Sequence, residues 1–175
     1  MRKNIVIIGF MGTGKTTVGR RLARRLKRKF IDTDLEIEKI TGKSITQIFA
    51  RDGATRFRSE EALLVKKLAL REGLVISTGG GLVLNPENIR LLQENGIIVA
   101  LTASPEVIYD RVRRNKNRPL LFNIDNTDLK EKIRELLVER KGAYDVAELS
   151  VDTGACSIDG TVAQIIHYLL ERNQI

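Results

Sequence analysis

The sequence of 175 residues is poor in cysteine and proline and has no long apolar run. Its single cysteine, Cys156, excludes a disulfide framework and a multi-cysteine zinc site within one chain. Three prolines and 42% apolar residues fit neither a disordered chain nor a collagen-like repeat. No run approaches the roughly 18 apolar residues that a membrane helix needs, and residues 1–4 do not begin a signal peptide. We therefore expect a soluble, cytoplasmic protein with one domain, residues 1–175.

Short apolar runs alternate with longer helical patterns along the chain. Pairs of an N-cap residue with proline predict helix starts at residues 85–86 and 104–105, and further helices are expected at 127–141 and from 160. The apolar runs predict five strands, at residues 4–9, 29–32, 73–77, 96–101 and 148–152. This alternation predicts a three-layer α/β fold, in which helices cover both faces of a parallel sheet.

Two stretches interrupt the alternation. Residues 33–61 belong to a mostly helical excursion with Gly42 and Gly53 as breaks, and residues 112–126 are largely polar and without periodicity. Loops of that length in small domains are often functional lids. We expect the excursion to bind an acceptor and the loop to act as a lid.

Residues 9–16, Gly-Phe-Met-Gly-Thr-Gly-Lys-Thr, match the P-loop pattern, with a strand before them and an amphipathic helix after them. The glycines allow successive backbone N–H groups to face phosphate oxygens, and the helix N-terminus adds its dipole. Lys15 can reach the β- and γ-phosphates, and the Thr16 hydroxyl can coordinate Mg²⁺. The motif predicts binding of ATP or GTP with Mg²⁺. The candidate nucleotide-binding residues within it are Gly12, Thr13, Gly14, Lys15, Thr16 and Thr17.

The formal net charge of +8 is concentrated at the start of the chain, because residues 1–30 carry ten Lys and Arg and no acidic residue. A nucleic-acid-binding NTPase would interleave aromatic residues with such cations for base stacking. Residues 20–29, the basic run, contain no aromatic residue, and Phe30 follows directly after them. We therefore interpret the charge as a helix surface that attracts ATP, and we expect neither a nucleic-acid nor a membrane partner.

A P-loop identifies the nucleotide but not the phosphate acceptor. The guanine-reading Asn-Lys-x-Asp of GTPases is not matched at residues 115–118, where Arg118 replaces the Asp. The strand pattern at residues 74–77 ends in Thr-Gly-Gly-Gly, whereas ATPases of the motor or AAA type usually have an acidic residue there. A small-molecule kinase explains the chain better.

Two carboxylates are candidates for the acceptor side. Asp32 and Asp34 follow the second predicted strand, at the edge where open α/β sheets bind ligands. One could hold Mg²⁺ through water and the other could orient an attacking hydroxyl. A helix N-cap is an alternative explanation for one of them.

Glycines and arginines complete the set of candidates. Gly79, Gly80 and Gly81 add no packing and are expected where backbone approaches a ligand closely. Arg58 is interpreted as a cation in the first turn of a helix, where it opposes the dipole and needs an anion such as a carboxylate. Arg118 and Arg140 are further candidates, although Arg140 also suits a helix C-terminus.

Taken together, these motifs resemble the shikimate kinase family of bacteria. The P-loop with Val18-Gly19 is followed in the family's order and spacing by residues 32–34, Phe57-Arg58 with Glu61, residues 77–81, residues 118–120, and Arg140 with Tyr144. The resemblance covers nearly the whole chain. It implies a fold like that of nucleoside monophosphate kinases, with sheet order 2-3-1-4-5. It also implies transfer of the ATP γ-phosphate to the 3-hydroxyl of shikimate, in aromatic amino-acid biosynthesis.

The resemblance also implies roles for individual residues. Asp34 would bind the acceptor hydroxyls, as a base or by orienting them, and Arg58 and Arg140 would bind the shikimate carboxylate. Residues 79–81 would lie against the acceptor ring. Arg118 would move with the lid to neutralise phosphate charge, so that Lys15, Asp34 and Arg118 form the catalytic set.

On the nucleotide side, the resemblance implies that Thr16 holds Mg²⁺ directly and Asp32 holds it through water. Arg114 would contact adenine or phosphate, with Arg113 as a competitor for that role. Family members often have Arg and Pro in the loop after the fifth strand, but residues 152–159 contain neither. Adenine contacts from this loop are therefore not implied here. Another metabolite kinase, for gluconate or a nucleoside monophosphate, stays open as an alternative, and we expect a monomer.

Overall fold

A five-stranded parallel sheet forms the centre of the computed structural model, which describes residues 2–113 and 126–175. The strand order is β2-β3-β1-β4-β5, as expected, and every adjacent pair is parallel. The strands are β1 (Asn4–Gly9), β2 (Lys29–Asp32), β3 (Leu74–Ser77), β4 (Gly96–Thr102) and β5 (Leu149–Asp152). All five predicted strands are confirmed to within one residue at each end.

Helices connect the strands and cover both faces of the sheet. They are α1 (Lys15–Leu26), α2 (Thr33–Thr41), α3 (Ile45–Arg51), α4 (Gly53–Ala69), α5 (Pro86–Glu94), α6 (Pro105–Val112), α7 (Asn126–Tyr144) and α8 (Ile158–Glu171), with a 3-10 turn at Leu82–Leu84. Asn85 and Ser104 cap α5 and α6 as predicted. The start predicted for α8 is two residues late, because the Ser157 side chain caps the helix. Among the described residues, no helix is long and apolar enough to span a bilayer.

The core is divided by the sheet because successive side chains of a strand face opposite sides. Ile5 and Ile7 of β1 pack with α1 and α8 on one face. Val6 and Ile8 pack on the other face with apolar residues of α2, α3, α4 and α5. Burial on both faces explains why β1 is continuously apolar rather than alternating.

The connection from β2 to β3 carries three helices, and the first two end as the glycine pattern predicts. Gly42 has a φ of 67° after α2 and Gly53 a φ of 82° at the start of α4, a left-handed region that favours glycine. The predicted excursion, residues 33–61, therefore comprises α2, α3 and the first half of α4. It stands at the carboxyl ends of the strands, where β1, β2 and β3 all terminate.

The Asn4 side chain links β1 to the chain that enters β3 through two hydrogen bonds, and replacing Asn4 tests their contribution to stability. The buried Asn4 side chain donates to Arg71 O at 2.7 Å and accepts from Leu74 N–H at 2.9 Å. Asn4→Ala leaves both backbone groups without this partner, so we expect a loss of about 2 kcal/mol in the free energy of unfolding. The half-buried Asn95 side chain donates to the same carbonyl at 3.1 Å. Asn95→Ala is the control, with an expected loss below about 0.5 kcal/mol in urea titrations; equal losses would contradict the role given to Asn4.

Candidate active site

The P-loop encloses a cavity beside the first turn of α1, called here the phosphate cavity. It is lined by Gly12, Gly14, Lys15, Thr16, Thr17, Asp32, Asp34, Thr78, Gly80 and Arg111. Gly14 precedes α1 with a φ of 90° and gives the helix no side-chain cap, so the backbone N–H groups of its first turn can bind an anion. Of the predicted nucleotide-binding residues of the loop, only Thr13 does not line the cavity. Its hydroxyl donates to Phe10 O at 2.8 Å and so shapes the loop.

Lys15 is buried within this loop. Its ammonium donates to the carbonyls of Gly9 and Phe10, at 2.8 and 2.9 Å. These two bonds hold the positive charge in place beside the cavity. Because the lysine side chain is already ordered, a phosphate that binds there would lose little free energy to ordering it.

Thr16 and Asp32 are arranged in a way that suits Mg²⁺. The Thr16 hydroxyl donates to Asp32 Oδ2 at 2.7 Å, which leaves the lone pairs of the hydroxyl oxygen available to a cation. Asp32 Oδ1 accepts from the N–H groups of Asp34 and Leu35, so the N-cap explanation is also confirmed for Asp32. Nowhere in the described chain do three or more His, Cys, Asp or Glu cluster as a metal site. Magnesium bound here would depend on phosphate oxygens and water, which this ion commonly retains.

A second cavity, called here the arginine cavity, adjoins the first. It is lined by Met11, Asp34, Ile45, Phe49, Phe57, Arg58, Glu61, Gly79, Gly80, Gly81 and Arg140. Asp34 and Gly80 line both cavities. The structure therefore brings every described acceptor candidate into one place, with two guanidinium groups and an apolar wall. A small anionic molecule with a hydroxyl at Asp34 would fit this combination of charge and apolar surface.

The glycine run after β3 has a clearer cause than the sequence indicated. A Cβ at Gly79 would overlap Asp34 Oδ1, and one at Gly81 would overlap the Arg58 guanidinium. The view that these glycines add no packing is therefore wrong, since they admit the two side chains against the backbone. Gly80 has no such overlap. Its carbonyl accepts from Arg140 Nη1 at 3.2 Å.

The reason given for Arg58 is also wrong, although its place in the cavity agrees with the expectation. Helix α4 begins at Gly53, so Arg58 lies in the second turn and not at the helix start. It pairs with Glu61 one turn further on, and its guanidinium lies 5.4 Å from the centre of the Phe57 ring. Arg140 lies near the end of α7, as expected, and is buried there.

Glu61 was not among the predicted site residues. Only 1% of it is exposed, and it lies beside both Arg58 and Asp34. Burial raises the pKa of Glu61 to about 7; Arg58 opposes this shift, and the nearby charge of Asp34 adds to it. The three-residue spacing of Arg58 and Glu61 on a helix is the signal that could have identified the pair.

Arg111 was also missed, and no local pattern distinguishes it from Arg113 and Arg114. Its guanidinium donates to Gly12 O at 3.1 Å and to Thr153 at 2.9 and 2.8 Å, which joins the P-loop to the chain after β5.

Arg113 instead pairs with Asp110 and lines neither cavity. Arg114, Arg118 and most of the predicted lid, residues 112–126, lie outside the described residues. Val112 ends α6 and Asn126 begins α7.

Comparison with known proteins points to one family. The family model for shikimate kinase matches residues 11–171. The chain is 69% identical to shikimate kinase of Pelotomaculum thermopropionicum, over 99% of each protein. It is 57% identical to shikimate kinase of Desulforudis audaxviator, over 99% of this chain and 89% of the relative. The solved structure of shikimate kinase from Acinetobacter baumannii in complex with shikimate is similar, with a TM-score of 0.91 and 38% identity over 97% of this chain and 94% of that one.

The raised pKa of Glu61 predicts a pH-dependent stability. Between the ordinary value of 4.5 and the native value of about 7, the folded protein retains a proton that the unfolded chain releases. The free energy of unfolding should therefore fall as pH rises through this window and level off above it. We expect wild type to lose about 2 kcal/mol more than Glu61→Gln between pH 5 and pH 8, measured by urea denaturation.

Glu60→Gln is the matched control, because Glu60 is on the same helix and does not line the arginine cavity. Its pH dependence should follow that of wild type. Parallel curves for wild type and Glu61→Gln would contradict the assignment of the raised pKa to Glu61.

Proposed function

The chain belongs to the shikimate kinase family, and we propose that its phosphate cavity holds ATP while its arginine cavity holds shikimate. It is an ATP-dependent kinase that transfers the γ-phosphate to the 3-hydroxyl of shikimate. The products are ADP and shikimate 3-phosphate, in the pathway to the aromatic amino acids. The observation that carries the assignment of the two cavities is their junction at Asp34 and Gly80. A donor phosphate on one side and an acceptor hydroxyl on the other would meet there.

On the nucleotide side, residues 12–17 bind the phosphates of ATP. Backbone N–H groups of the loop and of the first turn of α1 face the phosphate oxygens, and Lys15 neutralises their charge. Bound Mg²⁺ supplies further neutralisation of the β- and γ-phosphate oxygens. Thr16 would hold the ion directly and Asp32 through water, which agrees with the hydrogen bond between these two side chains.

Further nucleotide contacts come from arginines. Arg111 lines the phosphate cavity, and its guanidinium is fixed by Gly12 and Thr153. Arg114 as an ATP contact, and Arg118 as an ATP contact and a catalytic residue of the lid, rest on the family resemblance alone. Such a cation would stabilise the charge that spreads over the transferring phosphoryl group.

On the acceptor side, Arg58 and Arg140 bind the carboxylate of shikimate, because a planar guanidinium matches a carboxylate with two parallel hydrogen bonds. The residues from Gly79 to Gly81 lie under the acceptor ring. Asp34 receives the hydroxyl, and either takes its proton as a base or fixes its direction of attack. Its position at the junction of the cavities supports this role.

The remaining proposals concern organisation. Residues 1–175 form one P-loop kinase domain, in which residues 33–61 bind the acceptor and residues 112–126 close over the nucleotide as a lid. The position of α2, α3 and the start of α4 around the arginine cavity supports the first of these roles. The protein acts as a cytoplasmic monomer, without a nucleic-acid or membrane partner.

An acceptor panel tests the function directly. ADP release is measured with shikimate, gluconate and nucleoside monophosphates under identical conditions. Shikimate alone should stimulate release, because only shikimate combines a single carboxylate with a hydroxylated ring. Stimulation by another acceptor and not by shikimate would overturn the assignment.

Asp34→Asn should remove most of the turnover while leaving nucleotide binding intact.

A pair of arginines on α4 tests the acceptor site. Loss of a charged carboxylate contact in Arg58→Ala should raise the KM for shikimate by about 30-fold, with less than about a threefold change in the KM for ATP. Arg56→Ala is the control, since Arg56 is exposed, pairs with Glu60 and does not line the cavity. Equal changes in both KM values for Arg58→Ala would contradict its role in acceptor binding.

A further inference from the structure

Arg140 is a buried cation whose surroundings only partly compensate its charge. It is 6% exposed, and it forms no ion pair with the residues that the structure describes. Its Nη1 donates to Gly80 O at 3.2 Å. An arginine taken out of water needs further favourable contacts to stay in one orientation. Phe10 supplies one, because the guanidinium carbon of Arg140 lies over the Phe10 ring, 5.6 Å from its centre.

Phe10 is well placed to hold that orientation. The residue is 1% exposed and packs with Met11 and with apolar residues of α6 and α7. Its backbone is fixed as well, since its carbonyl accepts from Thr13 Oγ1 and from Lys15 Nζ. The ring is therefore a rigid surface that belongs to the phosphate-binding loop and faces a residue of the acceptor site.

We propose that Phe10 is a positioning residue for the acceptor: its ring fixes the Arg140 guanidinium for the carboxylate of shikimate. The ring attracts the cation through its negative face and prevents the guanidinium from tilting away from the cavity. Phe10 does not line the arginine cavity itself. It acts only through Arg140, and this inference rests on the proposed function of that cavity.

The test compares two substitutions of Phe10 by calorimetric titration of shikimate into nucleotide-free protein. Phe10→Leu keeps an apolar side chain but removes the ring, and the Kd for shikimate should rise about fivefold to tenfold. Phe10→Tyr keeps an aromatic face and should retain an affinity close to that of wild type, whatever the cost in thermal stability. The Kd for ADP, titrated separately, should change by less than about twofold in both variants.

Phe30→Leu is the matched control. The Arg20 guanidinium lies 5.8 Å from the centre of the Phe30 ring, and Phe30 lines neither the phosphate nor the arginine cavity. Removal of the Phe30 ring should leave the Kd for shikimate and the Kd for ADP unchanged. Equal weakening of shikimate binding in Phe10→Leu and Phe10→Tyr, equal weakening of shikimate and ADP binding, or unchanged binding in Phe10→Leu would each overturn the proposal. Wild type that binds no shikimate would instead refute the proposed function, and the inference with it.

Discussion

One hydrogen bond determines how the arginine cavity is assembled beside the phosphate cavity. The Gly79 N–H donates to Thr33 Oγ1 at 2.8 Å, and both groups are buried. This bond joins the chain leaving β3 to the first residue of α2, immediately after β2. Since Asp34 is the next residue, its carboxylate lies over Gly79, where only hydrogen can be accommodated. The parallel pairing of β2 with β3 thus fixes the position of the Asp34 carboxylate.

The same junction concentrates charged side chains that are absent from the rest of the core that the structure describes. Lys15, Glu61 and Arg140 are all buried near the two cavities. Each is held by polar partners, such as the two loop carbonyls that accept from Lys15. Burying charge in this way costs stability, which substrate phosphates and a carboxylate would restore on binding. The basic surface of α1 is different: Arg21 and Arg25 pair with Asp159 of α8 in exposed positions, where such contacts contribute little.

Local patterns in the sequence predicted the sheet, the P-loop and several caps, because each depends on neighbouring residues. Ser104 followed by Pro105 is an example, since a side-chain acceptor and a fixed φ are enough to start a helix. The start of α4 could not be predicted in this way, because the Asp52 side chain does not cap it. Arg58 was consequently assigned to the wrong turn. Arg111 was missed because its partner Thr153 is 42 residues away, and a contact at that separation has no local pattern.

The apolar wall of the arginine cavity bears on the choice of acceptor. Ile45, Phe49 and Phe57 form it, and the centres of the two phenylalanine rings lie 4.9 Å apart. An open-chain polyol acid such as gluconate carries hydroxyl groups along its whole length, and those against this wall would lose water without gaining a partner. A ring with one apolar edge loses much less there. Since a buried hydroxyl without a partner costs more than a missing methylene group, the wall would select between acceptors that the two arginines would bind equally well.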